Sequence, residues 1–297
     1  VPNAYQSTSV LSNLVKTGYD RKFRLALRSL PQFRSIADVK PANETNPGDS
    51  VAVANPAPIS VTLEERGNYS VTTRRLRAFT LDPKTDGNLA NILAFNMVDS
   101  LDAVVRGKLD AGTQVIRESA GALSTTAAVT TVTPTDVHKA RDYRYAITKL
   151  RAANVLPMRG DKYGVFIHPE AALDLRTETG AAAWRTPQEY QAVEALKAGE
   201  IGTWEGGIFM ETPRATNAQS GSGAGGTQTR VFNSYVLGQE ALAEAVAEEP
   251  HLVLDGVVVD PLKRKVAAGW YGIIGWNLFR PESLWVIQGA SSIHPNA

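Results

Sequence analysis

From residue 45 to residue 112 a long, mostly polar β-arm runs straight into a helix that is apolar on most of its circumference, and neither half can satisfy itself within one chain. Asp49 to Ala54 and Ile59 to Glu64 alternate apolar and polar side chains around a Pro-rich tip, Asn55-Pro56-Ala57-Pro58. The spacing predicts a hairpin there, then a turn at Glu65-Arg66-Gly67-Asn68 and a returning strand from Ser70 to Phe79. One or two strand pairs with few large side chains bury too little to stand alone in water, so their exposed edges pair wherever a neighbour is available. This assigns Val51, Val53, Ile59, Val61 and Leu63, with the basic run Arg74, Arg75 and Arg77, to contacts with another copy of the chain. The pattern points to assembly rather than catalysis.

A helix is predicted from Thr85 or Asp86. Leu89, Leu93, Met97, Leu101, Val105 and Leu109 recur at a spacing of four, and Ile92, Phe95, Val98 and Val104 widen the stripe beyond one face. At a rise of 1.5 Å per residue it spans roughly 35 Å, the width of a domain. Core packing of a central spine, not the lining of a cofactor site, is the reading for these side chains.

The chain has 297 residues and is 43% hydrophobic, enough for one large or two ordinary domains of a soluble globular protein. No run of 18 or more apolar residues offers a membrane span. Val1-Pro2-Asn3-Ala4-Tyr5 lacks the basic-then-apolar layout of a signal peptide, and Val1 in place of an initiator Met fits methionine removal or trimming of a longer precursor. Thirty-one basic against 30 acidic residues argue against a dedicated high-pI nucleic-acid binder. The balance is uneven, however. Lys16, Arg21, Lys22, Arg24, Arg28 and Arg34 face only Asp20 in the first 35 residues, which suits contact with DNA phosphate or an acidic neighbour on the interior of an assembly. The alternative is a helix whose Phe23, Leu27 and Leu30 pack on the subunit with the charges solvated. With zero cysteines, disulfides, thiolate nucleophiles and sulfur-ligated metals are excluded.

Further along, Thr133-Pro134-Thr135-Asp136 reads as a helix start, with Val137, Ala140, Ile147 and Leu150 on one face as far as Asn154. The breaker Pro157 to Asp161 leads into a strand from Tyr163 to Ile167, and His168-Pro169-Glu170 opens a short helix. A second short helix follows the Trp184 to Pro187 turn and runs to about Leu196. Strands are expected at Gly207 to Glu211 and Val231 to Leu237, around a low-complexity surface tip from Thr216 to Thr229. Gln239 to Val246 reads as a last short helix, before strands at His251 to Val259, Val266 to Phe279 and Leu284 to Gln288. Gly269, Gly272 and Gly275 inside the second of these mark a bulge or a close backbone approach. The fold class is α+β, without βαβ alternation or internal repeat.

The motifs for chemistry are weak. Gly221-Ser222-Gly223-Ala224-Gly225-Gly226 fits the dinucleotide pattern but precedes a strand, so bound phosphates would find no helix N-terminus. His168, Glu170 and Asp174 do not have a recurring zinc spacing; His168 ends a strand and Glu170 supports a first helical turn. No Gly-x-Ser-x-Gly elbow accompanies the four histidines, and Glu64-Glu65 and Glu248-Glu249 are adjacent rather than facing carboxylates. Arg159-Gly160-Asp161 is read as a turn. No catalytic, metal or cofactor residue is assigned.

The order of elements, a basic N-terminal segment, an extended hairpin, a spine helix, a mixed domain with a tip, and strands returning beside the spine, resembles the major capsid protein of tailed bacteriophages, the Hong Kong 97 phage-type fold. Specific phrases are similar to the branch typified by the enterobacterial phage N-four: Tyr19-Asp20-Arg21-Lys22 through Phe33-Arg34-Ser35, Val61-Thr62-Leu63-Glu64-Glu65, and Thr73-Arg74-Arg75-Leu76-Arg77-Ala78-Phe79. Ile167-His168-Pro169, Glu211-Thr212-Pro213-Arg214-Ala215, Leu237-Gly238-Gln239-Glu240-Ala241-Leu242 and Gly269-Trp270-Tyr271-Gly272 continue the resemblance in order along nearly the whole chain.

The resemblance implies an N-terminal arm over residues 1 to 40, an extended loop over 41 to 82, a peripheral domain over 83 to 120 and 247 to 297, and an axial domain over 121 to 246. It implies a structural protein, not an enzyme, that assembles with itself into hexamers and pentamers of an icosahedral shell around double-stranded DNA. Portal, scaffolding and decoration proteins are the partners it brings, with the virion and the host cytoplasm as locations and no membrane or cofactor. An encapsulin-type nanocompartment shares the fold and is the alternative; an uncharacterised α+β enzyme is the third reading.

Overall fold

Leucines, methionine and valines at helical spacing need a common surface to bury, and they find one. The computed structural model describes residues 38–41, 50–53, 59–73, 85–179, 200–219, 229–254 and 264–293. Helix α1, Thr85–Asp110, follows the stripe: Leu93, Met97, Leu101, Val105 and Leu109 are all buried. Its 26 residues span about 39 Å at the standard rise. The widened stripe is only half buried. Val98 is inside, but Ile92 and Phe95 are 64% and 53% exposed, because the helical period carries them round to the opposite flank.

The chain divides into two units, Val1–Val104 with Glu244–Asn277, and Val105–Ala243 with Leu278–Ala297. In the first, strands β2, Ser50–Val53, and β3, Ile59–Thr62, pair antiparallel, with Val51 opposite Val61 and Val53 opposite Ile59, as the alternation predicts. A four-stranded sheet has the order β1-β12-β13-β4, where β1 is Asp38–Pro41, β4 Glu64–Thr73, β12 Leu242–Leu254 and β13 Lys265–Leu278.

Two expectations fail here. The predicted turn at Glu65-Arg66-Gly67-Asn68 is the continuous strand β4, paired antiparallel with β13. Gly67 serves a close strand approach instead of a turn, since a Cβ on it would lie 2.7 Å from the carbonyl oxygen of Trp270. The predicted helix from Gln239 to Val246 is the start of β12. Glu240 takes a left-handed backbone, φ 57°, which stops a helix, and Leu242 to Ala245 are buried. Glu244 is held inside by the indole N–H of Trp276, which donates to Oε2 at 3.0 Å. The close approaches expected at Gly269, Gly272 and Gly275 are present.

The second unit is built on an eight-stranded mixed sheet, ordered β6-β5-β14-β11-β7-β9-β8 with β10 also on β11. The strands are β5 Val115–Ser119, β6 Ala122–Ser124, β7 Tyr163–Ile167, β8 Glu200–Trp204, β9 Gly207–Glu211, β10 Asn217–Gln219, β11 Arg230–Leu237 and β14 Leu284–Gly289. Helix α2, Ala140–Ala152, packs Tyr143, Ile147 and Leu150 into a core with Val165, Ile167, Phe209, Phe232, Val236 and Ile287. Each such large side chain contributes roughly 1.5–3 kcal/mol on burial. Helix α3, Pro169–Thr177, adds Ala171, Ala172 and Leu175.

The helix start expected at Thr133 to Asp136 is a turn. Asp136 gathers the N–H groups of Thr133, Gly121 and Ala120 at 2.9, 2.8 and 3.3 Å, and α2 begins only at Ala140, where Asp142 accepts from the Lys139 N–H at 3.0 Å. Desolvation alone would raise the Asp136 carboxyl, but these donated bonds outweigh it and hold the group below its ordinary range. The expected surface tip is shorter at its root: Asn217 to Gln219 pair with β11, and Thr229 is buried. Residues 220–228, the second short helix before Leu196, and the strand ends at 74–79 and 255–259 lie outside the described residues.

Candidate assembly surfaces

The β2–β3 ribbon is fastened at its root. Its register sets Val51 opposite Val61, Val53 opposite Ile59 and Ala52 opposite Ser60. The Asn277 side-chain amide donates to the Ser60 carbonyl at 2.8 Å, and Gly275 lies so close to β3 that a Cβ there would fall 2.0 Å from the Thr62 carbonyl oxygen and 3.2 Å from Val61. Val61 is therefore corrected from a contact with another copy to a root residue: it is fully buried within its own chain. Leu63, between β3 and β4, is half-buried. Arg74, Arg75 and Arg77, and Lys16, Arg21, Lys22, Arg24, Arg28 and Arg34, lie outside the described residues.

In the second unit the C-terminal end of α1 is tied to the sheet by one carboxylate. Asp110 accepts from Thr216 Oγ1 at 2.5 Å, Tyr235 Oη at 2.6 Å and Asn233 Nδ2 at 2.7 Å. Burial, and then the charge of Asp110, push the Tyr235 hydroxyl up, so it remains a donor.

His138, Tyr143 and Ser234 look at first like a proton relay. The Tyr143 hydroxyl is 3.0 Å from both His138 Nδ1 and Ser234 Oγ, and His138 Nε2 is 3.1 Å from the Phe232 carbonyl. A carbonyl can only accept, so Nε2 carries the proton and Nδ1 is unprotonated, while the Tyr143 hydroxyl donates to Ser234 Oγ. All three side chains are buried, which gives the relay no substrate to act on. Desolvation pulls His138 down to about 4, and the imidazole is neutral.

A second buried polar group adjoins α2. Arg141 binds Glu118 through both of its forks, at 2.8 and 2.6 Å, and Lys139 stands 3.6 Å from the same carboxylate. Asp142 lies beside Glu118: desolvation and then the neighbouring Glu118 push Asp142 up to about 8, whereas Glu118, despite its own desolvation, is held low by Arg141, Asp142 and Lys139.

The signs oppose. Asp142 contributes stability that is present below its ordinary range near 3.8 and is lost as pH rises through about 8. His138, faced by Asp174 and Glu118, contributes stability present above 6.5 and lost as pH falls through about 4. Between 4 and 6.5 the two offset each other, and above 6.5 Asp142 acts alone. Thermal midpoints of the subunit should therefore fall from pH 6.5 to 8. Asp142→Asn, whose amide keeps the bond from Lys139 and donates one to Glu118, should remove that slope and add on the order of 1 kcal/mol at pH 8. An unchanged slope in the variant contradicts the raised Asp142 carboxyl.

The sequence-predicted chemistry resolves into structural roles. His168 caps α3, its Nδ1 accepting from the Glu170 N–H at 3.3 Å, and Asp174 accepts from the N–H of Ser292 at 2.9 Å and from its hydroxyl. Arg159-Gly160-Asp161 forms a tight turn closed by reciprocal bonds between Arg159 and Lys162 at 3.1 and 2.9 Å. Among the described residues no cluster of three or more His, Cys, Asp or Glu is placed to hold a metal ion, and no helix is long and apolar enough to cross a membrane.

The fold is that of phage shells. The chain aligns with the capsid of Ralstonia phage GP4 over 89% of its length and 92% of that chain, with a TM-score of 0.68 and 12% identity. The capsid of cyanophage P-SCSP1u aligns over 88% and 89%, with a TM-score of 0.58 and 16% identity. An encapsulin complex from Synechococcus elongatus aligns over 89% and 91%, with a TM-score of 0.53 and 11% identity. No curated protein matches the chain by sequence. Residues 100–280, well over half the chain, match the family described as phage capsid protein. With a mixed fold of the Hong Kong 97 phage type and the sequence pattern of that family, the chain belongs to the phage capsid proteins, structural proteins of phage shells.

Proposed function

We propose that copies of this chain assemble into hexamers and pentamers that close an icosahedral shell around packaged double-stranded phage DNA, with no catalytic activity of their own. The observation that carries the reading is the β2–β3 ribbon, a two-stranded element seated at its root by Gly275 and Asn277 and too thin to bury its own edges. In this reading residues 41–82 form the extended loop laid on an adjacent subunit, with Val51, Val53, Ile59, Leu63, Arg74, Arg75 and Arg77 in contact with it. Residues 1–40 form the N-terminal arm, whose Lys16, Arg21, Lys22, Arg24, Arg28 and Arg34 face the interior, against DNA or an acidic neighbour. Residues 83–120 and 247–297 form the peripheral domain, and 121–246 the axial domain around each capsomer centre.

Weak contacts repeated at every interface hold such a shell, because each bond formed raises the effective concentration for the next. A portal at one vertex, scaffolding and decoration proteins, and assembly in the host cytoplasm complete the proposal. Sedimentation of the purified chain tests it: particles of megadalton size are expected, and a small discrete oligomer overturns it. The encapsulin likeness keeps a nanocompartment as the second reading, and DNA cargo as against enzyme cargo in native particles separates the two.

A further inference from the structure

Toward its C-terminal end the outward side of α2 is basic. Lys149 and Arg151 are exposed and Arg144 half-buried, on the side away from the core that Tyr143, Ile147 and Leu150 enter. Two turns bring more charge to the same place. Arg151 donates to the Glu205 carbonyl at 3.1 Å, and the Arg144 guanidinium stands 3.1 Å from the Glu205 carboxylate and 5.3 Å over the Trp204 ring, so both hold the turn between β8 and β9. A Cβ on Gly206 would strike the Arg151 guanidinium, and glycine there makes room for it. Tyr163 donates its N–H to the Gly206 carbonyl at 2.8 Å, which sets the Arg159–Lys162 turn against the Glu205–Gly206 turn. Arg144, Lys149, Arg151, Arg159 and Lys162 thus form a ridge of five cations beside two carboxylates, Glu205 and Asp161. Among the described residues, the one ion pair inside the ridge is that of Arg144 with Glu205.

We propose that this ridge contacts the phosphate backbone of the enclosed double-stranded DNA. The inference rests on the shell-forming reading above. Local structure accounts for part of the charge: Lys149 and Arg151 suit the negative end of the α2 dipole, and Arg144 and Arg151 hold the β8–β9 turn. It does not account for Arg159 and Lys162, whose turn is closed by reciprocal backbone bonds. An acidic protein surface is the poorer partner. Protein interfaces exclude charge from their centres and take their energy from aromatic and apolar anchors, whereas between residues 144 and 162 Leu156 is the one large apolar side chain left exposed. Phosphates need no such anchor, because each cation beside a strand releases a counterion and the contributions add. The contact is independent of base sequence, since cations on a convex surface reach the backbone without entering a groove.

Binding of a short random-sequence duplex to the purified, unassembled chain, measured across a range of salt, tests the contact. Lys149→Gln, Arg159→Gln and Lys162→Gln are combined, leaving Arg144 and Arg151 to hold their turn. The slope of log affinity against log salt should flatten by roughly 1 for each phosphate contact removed. Lys149→Arg, Arg159→Lys and Lys162→Arg together keep the charges and should keep the parental slope. Lys149→Gln alone, and Arg159→Gln with Lys162→Gln, divide the loss between two elements, so that one poorly folded variant does not decide the outcome. Parental affinity and slope in all the Gln variants, or a parent chain with no measurable affinity, overturn the proposal. Gln variants that bind the duplex as the parent does but no longer form particles make the ridge a contact between subunits and also overturn it. A parent chain that binds the duplex and forms no particles overturns the shell reading instead.

Discussion

Replacing Arg74, Arg75 and Arg77 together by Glu should leave a folded subunit that forms no shells. The three residues directly follow Thr73, the last residue of β4 at the edge of its sheet, and the change turns three positive charges into three negative ones on every copy. A single exposed ion pair is worth only about 0.2–1 kcal/mol, too little to matter alone. Repetition decides the outcome, because a shell multiplies the loss over all its interfaces and adds repulsion wherever attraction stood. Circular dichroism should match the parent chain while sedimentation shows no particles. Normal particle yield in the triple variant removes the arm from the list of clamps.

Gly275→Val should have the largest effect on the subunit itself. A Cβ at that position falls 2.0 Å from the backbone oxygen of Thr62, a rigid partner that cannot rotate away, so β3 must leave β13. Overpacking of this kind costs roughly 3 kcal/mol or more once the backbone has to move. The root of the ribbon, including buried Val61, would be lost with it. Gly107→Ala is the matched control: a Cβ there meets nothing within 4 Å, and replacing glycine inside α1 should stabilise by about 1 kcal/mol. Denaturation midpoints should move in opposite directions for the two variants. A Gly275→Val chain as stable as the parent shows that the ribbon is not seated on β13.

Helix α1 and the β2–β3 register were legible because each follows from period alone: apolar residues at helical spacing in one, strict alternation around a Pro-rich tip in the other. The start of β12 was not, because residues 239–249 are rich in Ala and Glu, good helix formers whose preference is overridden by burial and by the left-handed Glu240. The helix start was read at Thr133 to Asp136, and only the fold shows that Asp136 closes a turn there while the helix begins at Ala140, with Asp142 accepting from the Lys139 N–H. The basic ridge was hidden for a different reason. Lys149 and Arg151 read as the end of a helix and Arg159 as part of a breaker, and only the pairing of β7 with β9 brings them to one end of the sheet. Residues that touch another copy leave no period of their own. Val61 shows the consequence, an apolar arm residue that its own chain consumes.

The most direct test of the shell account is a three-dimensional reconstruction of particles formed by the purified chain. The account predicts a closed icosahedral particle of hexamers and pentamers in which the β2–β3 ribbon of each subunit lies on the subunit beside it. Small discrete oligomers, or a shell in which every ribbon folds back onto its own subunit, would contradict it.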